Sequence, residues 1–118
     1  MEAAIDTRRN LPLKKRFSKI LNSEIANGNA SDDTVKTYTQ QFKLFVAWCD
    51  RVGLRLETAT EEDILDYRRY LVNKKLSHAT ISLKLTVIRR IYAIALKRGF
   101  VATNPARDVQ PPPKRRDP

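Results

Sequence analysis

The chain has 118 residues, 23 of them Lys or Arg against 13 Asp or Glu, for a formal net charge of +10. One cysteine (Cys49) excludes an intramolecular disulfide, one histidine (His78) leaves no Cys/His cluster for a metal, and the three glycines fit neither GxGxxG nor GxxxxGK phosphate loops. No apolar run approaches the ~18–20 residues of a membrane span, and the first ten residues hold no signal-type apolar region, so the expectation is a small cytoplasmic basic domain whose usual partner is nucleic acid or an anionic surface.

Residues 1–30 read as a basic N-terminal segment. Pro12 can open a helix, Leu13, Phe17, Ile20, Leu21 and Ile25 recur at helical spacing, and Asn27-Gly28-Asn29 breaks the pattern. Lys14, Lys15, Arg16 and Lys19 make it basic. It reads either as a short docked helix or as an arm.

Ser31 is a good N-cap, and Asp32 and Asp33 suit the positive end of a helix dipole. Val35, Tyr38, Phe42, Phe45, Val46 and Cys49 then form one apolar stripe up to Gly53, a natural helix terminator. Lys36, Thr37, Gln40 and Arg51 fall on the opposite face, with Trp48 on the flank. Leu54 to Ala59 is a connector. Thr60 opens a second helix with Asp63 as its capping-box partner; Ile64, Leu65, Tyr67 and Leu71, with Val72 as a further candidate, supply its apolar side, and Asn73-Lys74-Lys75 ends it. Ser77 caps a third helix that runs to about Arg98 and Gly99. Its two apolar stripes (Ile81, Leu85, Ile88, Tyr92, Ala95 and Leu83, Val87, Ile91, Ile94) make it the central helix, with a narrow polar strip of Ser82, Thr86, Arg89, Arg90 and Lys97. Asn104-Pro105 predicts a short capped helix, and residues 110–118 a stiff, extended, basic linker. No segment alternates with period two. The expected fold is all-α, a small bundle of three main helices and one or two short ones over residues 31–109.

The charge is unevenly placed. Asp32 to Asp66 holds eight acids and four bases; Tyr67 to Arg107 holds ten bases and no acid. A surface without a polyanion partner normally mixes signs, so the second stretch points to a polyanion-facing side.

No catalytic set is present. His78 has no obvious nucleophile, because Cys49 falls on an apolar stripe, and Glu61-Glu62-Asp63 is accounted for by the helix dipole rather than by a metal. Ser77-His78-Ala79-Thr80, preceded by Lys74 and Lys75, is a helix N-terminus with hydroxyls and no nearby acid. It reads as a phosphate contact or, more plainly, as a cap beside solvated lysines. Tyr38, Phe42, Phe45, Tyr67 and Tyr92 sit on core stripes, which leaves Tyr70 and Trp48 as open candidates for stacking on bases.

The residues then follow an ordered series: Ser31-x-x-Thr34-x-x-x-Tyr38, Phe42-x-x-Phe45-x-x-Trp48, Gly53, Thr60-x-x-Asp63-Ile64-x-x-Tyr67, Leu76-Ser77-x-x-Thr80-Ile81, Ile88-x-x-Ile91-Tyr92 and Ala95-x-x-x-Gly99-Phe100-Val101-x-x-Asn104-Pro105. This series resembles the N-terminal core-binding, SAM-like domain of tyrosine recombinases, the phage integrase family. The resemblance implies a helical domain that clamps duplex DNA together with a following catalytic domain, whose Arg, Lys, His-x-x-Arg and nucleophilic Tyr are not among these residues. By matching position it points to Thr34, Lys36, Thr37 and Gln41 on the first helix and to Ser77, His78, Thr80 and Lys84 on the third. The long basic segment before Ser31 departs from the family pattern.

The resulting expectation is a DNA-binding core domain of a site-specific recombinase, not itself an enzyme, with no cofactor and no metal. Double-stranded DNA is the expected partner, and no membrane. The whole protein is expected to oligomerise on DNA and the isolated piece to be monomeric. Lys74, Lys75, Arg89, Arg90 and Lys97 join the contact set on charge grounds, and Gln40 as a residue able to reach base edges. The alternative is a helical protein-interaction module whose basic face meets an acidic partner or an anionic membrane.

Overall fold

The computed structural model describes Lys15, Arg16, Ser18, Lys19 and residues 31–113. The predicted stripe of Leu13, Phe17, Ile20, Leu21 and Ile25, the Asn27-Gly28-Asn29 break and residues 114–118 lie outside the described residues. Lys15, Arg16, Ser18 and Lys19 are helical, and the Arg16 guanidinium lies 5.4 Å from the centre of the Phe100 ring.

Helix α1 spans Asp32–Val52, and its start and stop are local chemistry. The Ser31 Oγ accepts from the Thr34 backbone N–H at 3.2 Å, satisfying one of the donors a helix start leaves without a partner. At the other end Gly53 has φ 77. There its N–H reaches the Asp50 carbonyl and the Leu54 N–H reaches Cys49 at 2.8 Å, the paired bonds of a Schellman stop. A side chain with a Cβ would be strained at that φ. A single 3-10 turn, Leu56–Thr58, then leads to α2, Glu61–Asn73. The predicted capping box is closed: Asp63 N–H donates to Thr60 Oγ1 at 3.3 Å, and Thr60 N–H donates to the Asp63 carboxylate at 2.9 Å. Lys75 ends the turn after α2 with φ 60, the one non-glycine residue in the left-handed region among those described. Helix α3 spans His78–Lys97 and is capped by Ser77. Gly99 (φ 76) and Phe100 close it, the Phe100 N–H bonding to the Ala95 carbonyl at 2.9 Å.

The three helices enclose one core, and no strand occurs among the described residues. Helix α3 is central, with Ile81, Leu85, Val87, Ile88, Ile91, Tyr92 and Ala95 buried. The Tyr92 hydroxyl donates to the Leu56 carbonyl at 2.7 Å, pinning the connector to the core. Burial pushes the Tyr92 phenol up, so it stays a donor across ordinary pH. Cys49 is fully buried, and burial likewise raises its thiol. It is a packing residue and not a reactive one.

Three expectations are corrected, and the surroundings of Lys84 are defined. Trp48 is buried rather than flanking, because α2 lays Tyr67 and Tyr70 across it, ring centres 5.0 and 6.2 Å away. The second stripe of α3 is not wholly internal, since Leu83 is 40% exposed. Lys84, on the face of α3 that meets α1, is only 8% exposed. Finally, the short helix after Pro105 is a pair of turns. Asn104 Oδ1 accepts from the Ala106 N–H, and the Arg107 and Val109 N–H groups reach back three residues to Asn104 and Ala106.

Candidate nucleic-acid interface

The candidate residues fall into three groups. The first lies along the start of α1. Thr34 is half-buried, its hydroxyl 3.1 Å from that of Ser31, and Thr37 is half-buried one turn on. Lys36 and Gln40 are exposed and line a shallow groove with Val35, Thr39 and Lys43.

The second group surrounds the start of α3. Lys74 and Lys75 are exposed, with Ser77 beyond them and His78 and Thr80 half-buried. The Ser77 hydroxyl accepts from the Thr80 N–H at 3.1 Å and donates to the Thr80 hydroxyl at 2.9 Å. The cap is therefore formed without a ligand. Ser77→Ala is expected to lower unfolding free energy by about 1 kcal/mol, as loss of a cap usually does. Ser77→Asp, which restores an acceptor, is expected to recover it. Urea denaturation of the three proteins checks this, and equal midpoints would deny the cap its role.

Gln41 and Lys84 join these two groups. The Lys84 ammonium donates to Gln41 Oε1 at 2.7 Å, tying α1 to α3. Burial, and then the nearby charge of Lys74, push the Lys84 ammonium below the ordinary lysine range.

The third group is dispersed by the fold. The Arg89 guanidinium donates to the carbonyls of Ala106 (3.2 Å) and Val109 (2.6 Å), and Asn104 Nδ2 donates back to the Arg89 carbonyl at 3.1 Å. Its charge is committed to the C-terminal strap. Arg90 is exposed and stands over the Tyr38 ring at 5.9 Å. Lys97 is exposed in the last turn of α3, twenty residues from Ser77 and so about 30 Å along the axis.

Two further residues stand beside this surface: Tyr70, kept open in the sequence as a stacking candidate, and Arg51, which the pattern alone does not select. Tyr70 is half-buried, and its hydroxyl accepts from Arg51 at 2.8 Å and from Lys74 at 3.1 Å. Hydrogen bonds from Arg51 and then from Lys74 lower the Tyr70 phenol below its usual pKa. The spacing of Tyr70 and Lys74, one helical turn apart, is visible in the sequence; the arrival of Arg51 from α1 is not. Of the aromatic residues weighed as stacking platforms, Phe42, Phe45, Trp48, Tyr67 and Tyr92 are buried in the core.

Among the described residues no group of His, Cys, Asp and Glu could hold a metal ion, and no helix is long and apolar enough to cross a membrane.

Comparison with known proteins places these helices in context. The family described as phage integrase, N-terminal SAM-like domain, matches residues 15–99, so the match takes in half of the segment before Ser31. A tyrosine recombinase XerC of Leptospira interrogans is 27% identical over 106 residues, covering 89% of this chain and 34% of that protein. A tyrosine recombinase XerD of Pseudomonas aeruginosa is 29% identical over 82 residues, covering 70% of this chain and 28% of the relative. A tyrosine recombinase XerC of Oceanobacillus iheyensis is 30% identical over 78 residues, covering 65% and 26%. The chain thus spans about a third or less of the length of these curated relatives. No solved structure matches it.

Proposed function

This chain belongs to the phage integrase N-terminal SAM-like domain family, and on that premise we propose that it is the DNA-binding core domain of a site-specific tyrosine recombinase, forming one arm of a clamp on duplex DNA at the recombination site. The observation that carries the reading is the acid-free run from Tyr67 to Arg107, whose Lys74, Lys75 and Ser77 stand exposed at the start of α3. The Lys84–Gln41 bond joins that edge to α1. The dipole of α3 and its first N–H groups favour phosphate at the same edge.

In this reading Lys36, Lys74 and Lys75 meet phosphates, and Thr37, Gln40 and His78 reach toward base edges. Arg90 and Lys97 extend the basic side along α3, while Arg89 serves the fold. Strand exchange belongs to the whole recombinase, which assembles on DNA in the bacterial cytoplasm; these 118 residues alone are monomeric and form no covalent bond with DNA. Tyr67 and Tyr92 are buried, and Tyr70 is held by two cations, so neither pattern is that of an activated nucleophile beside a base.

Fluorescence anisotropy with a labelled duplex tests the proposal. With about four phosphate contacts, log K against log salt falls with a slope of about −3.6, roughly a hundredfold between about 50 and 200 mM. Binding to anionic vesicles with no binding to duplex would overturn the reading in favour of a membrane-surface module. A covalent adduct surviving denaturation would overturn the non-catalytic assignment.

A further inference from the structure

Between the end of α1 and the end of α2 lies an open groove of about 580 Å³. Leu44, Ala47, Leu71 and Leu76 give it an apolar lining, and it carries three cations, Arg51, Lys74 and Lys84, against one acid, Asp50. Two of the cations are gathered on one phenol. The Arg51 and Lys74 hydrogen bonds to Tyr70 are joined by cation–π contacts, the two charges lying 5.3 and 5.1 Å from the ring centre. A carboxylate usually occupies such a position between two cations. A neutral phenol accepts their hydrogen bonds but does not offset their charge. The groove is therefore built to hold cations in place while leaving their charge uncompensated.

The chemistry of the three cations agrees. A guanidinium has five N–H donors and an ammonium three, and Tyr70 takes one from each. Arginine's planar fork matches phosphate oxygens, two at a time. Lys74 also begins the turn that delivers Ser77, so the groove adjoins the edge assigned above.

We propose that this groove seats one backbone phosphate of duplex DNA, bound by Arg51 and Lys74, with Tyr70 as the residue that positions them. The inference rests on the duplex-binding reading and adds to it the pairing of Arg51 from α1 with Lys74 on one phosphate.

Duplex titrations of the 118-residue chain over a salt series test it. Arg51→Gln is expected to lower affinity about tenfold, the effect of one charge-assisted contact, and to reduce the salt slope by about 0.9. Arg51→Lys is expected to keep the slope and lose part of the affinity. Tyr70→Phe keeps the ring and both charges; it is expected to weaken binding at an unchanged slope, which a merely destabilised protein would not show. Arg55→Gln, whose partner is Glu57 at 3.3 Å, is the control and is expected to bind as the parent does. Parental affinity and slope in Arg51→Gln would overturn the seat while leaving the duplex reading in place. Parental affinity in Tyr70→Phe would overturn its positioning role. A parent chain that binds no duplex would overturn both the seat and the reading beneath it.

Discussion

Phe45→Ala is expected to cost about 3–5 kcal/mol of unfolding free energy. Phe45 is 1% exposed. Its ring meets Tyr67 edge-on at 5.0 Å, Tyr92 edge-on at 6.3 Å and Trp48 in a stacked arrangement at 6.3 Å. These are one residue from each of α2 and α3 and one from α1 itself, so the side chain sits where the three helices meet. Truncation loses the transfer free energy of the ring, leaves a void that flat neighbours fill poorly, and removes edge-to-face contacts worth about 0.5–1.5 kcal/mol each. Domains of this size have about 5–15 kcal/mol in hand, so the truncation is expected to remove a large share of the stability. Leu44→Ala, one residue away on a position 46% exposed, is expected to stay within about 0.5 kcal/mol of the parent. Urea titration followed by far-ultraviolet circular dichroism compares them. Similar midpoints for Phe45→Ala and Leu44→Ala would contradict the placement of the core.

The second large effect is expected at Arg89. Its guanidinium spans two backbone carbonyls, those of Ala106 and Val109, while Asn104 holds its own carbonyl. With Val109 buried at 2% exposure, the strap from Asn104 to Val109 is fastened at both ends. Arg89→Ala leaves two partly buried acceptors without a charged donor, and charge-assisted bonds of this kind contribute about 1.5–3 kcal/mol. The loss is expected to be local first. The amide protons of Arg107 and Val109, which close the two turns, are expected to exchange faster than those of α1. Arg89→Lys is expected to recover only part of the protection, because one ammonium does not reach two carbonyls with the geometry of a planar fork. Unchanged exchange at Val109 in Arg89→Ala would show that burial alone holds the strap.

What was legible in the sequence is what short-range chemistry decides. Ser31, Thr60 with Asp63, and Ser77 each act on a backbone N–H three residues away, and Gly53 and Gly99 each satisfy a backbone angle of their own. The apolar periodicity placed Phe42, Phe45, Ile64, Tyr67, Ile81, Leu85 and Ile88 in the core for the same reason: a helix face is a local property. The misreadings are tertiary. The partner of Lys84, Gln41 of α1, lies forty-three residues earlier and accepts a hydrogen bond from its ammonium. Trp48 lies beside the main stripe of α1, and only the crossing of α2 decides that the flank is inside. Arg89 counts as a surface charge until the strap returns to it. The Arg51–Tyr70 bond spans nineteen residues and two helices, so no window on the sequence contains it. The surface was thus foreseeable as a basic side near Ser77, while the partners of its individual cations were not.

Trp48, the sole tryptophan of the chain, has a consequence for how the protein is observed. It is 6% exposed, with its indole ring 6.2 Å from that of Tyr70, the phenol that gathers Arg51 and Lys74. A single buried indole makes the unlabelled chain its own optical probe: its emission shifts to the red as the core opens to water. At the same time it stands one ring away from the groove, so a change in the charge held there alters the field in which it emits. Stability and occupancy can be followed in one cuvette, without a dye whose own charge would compete for a surface this basic.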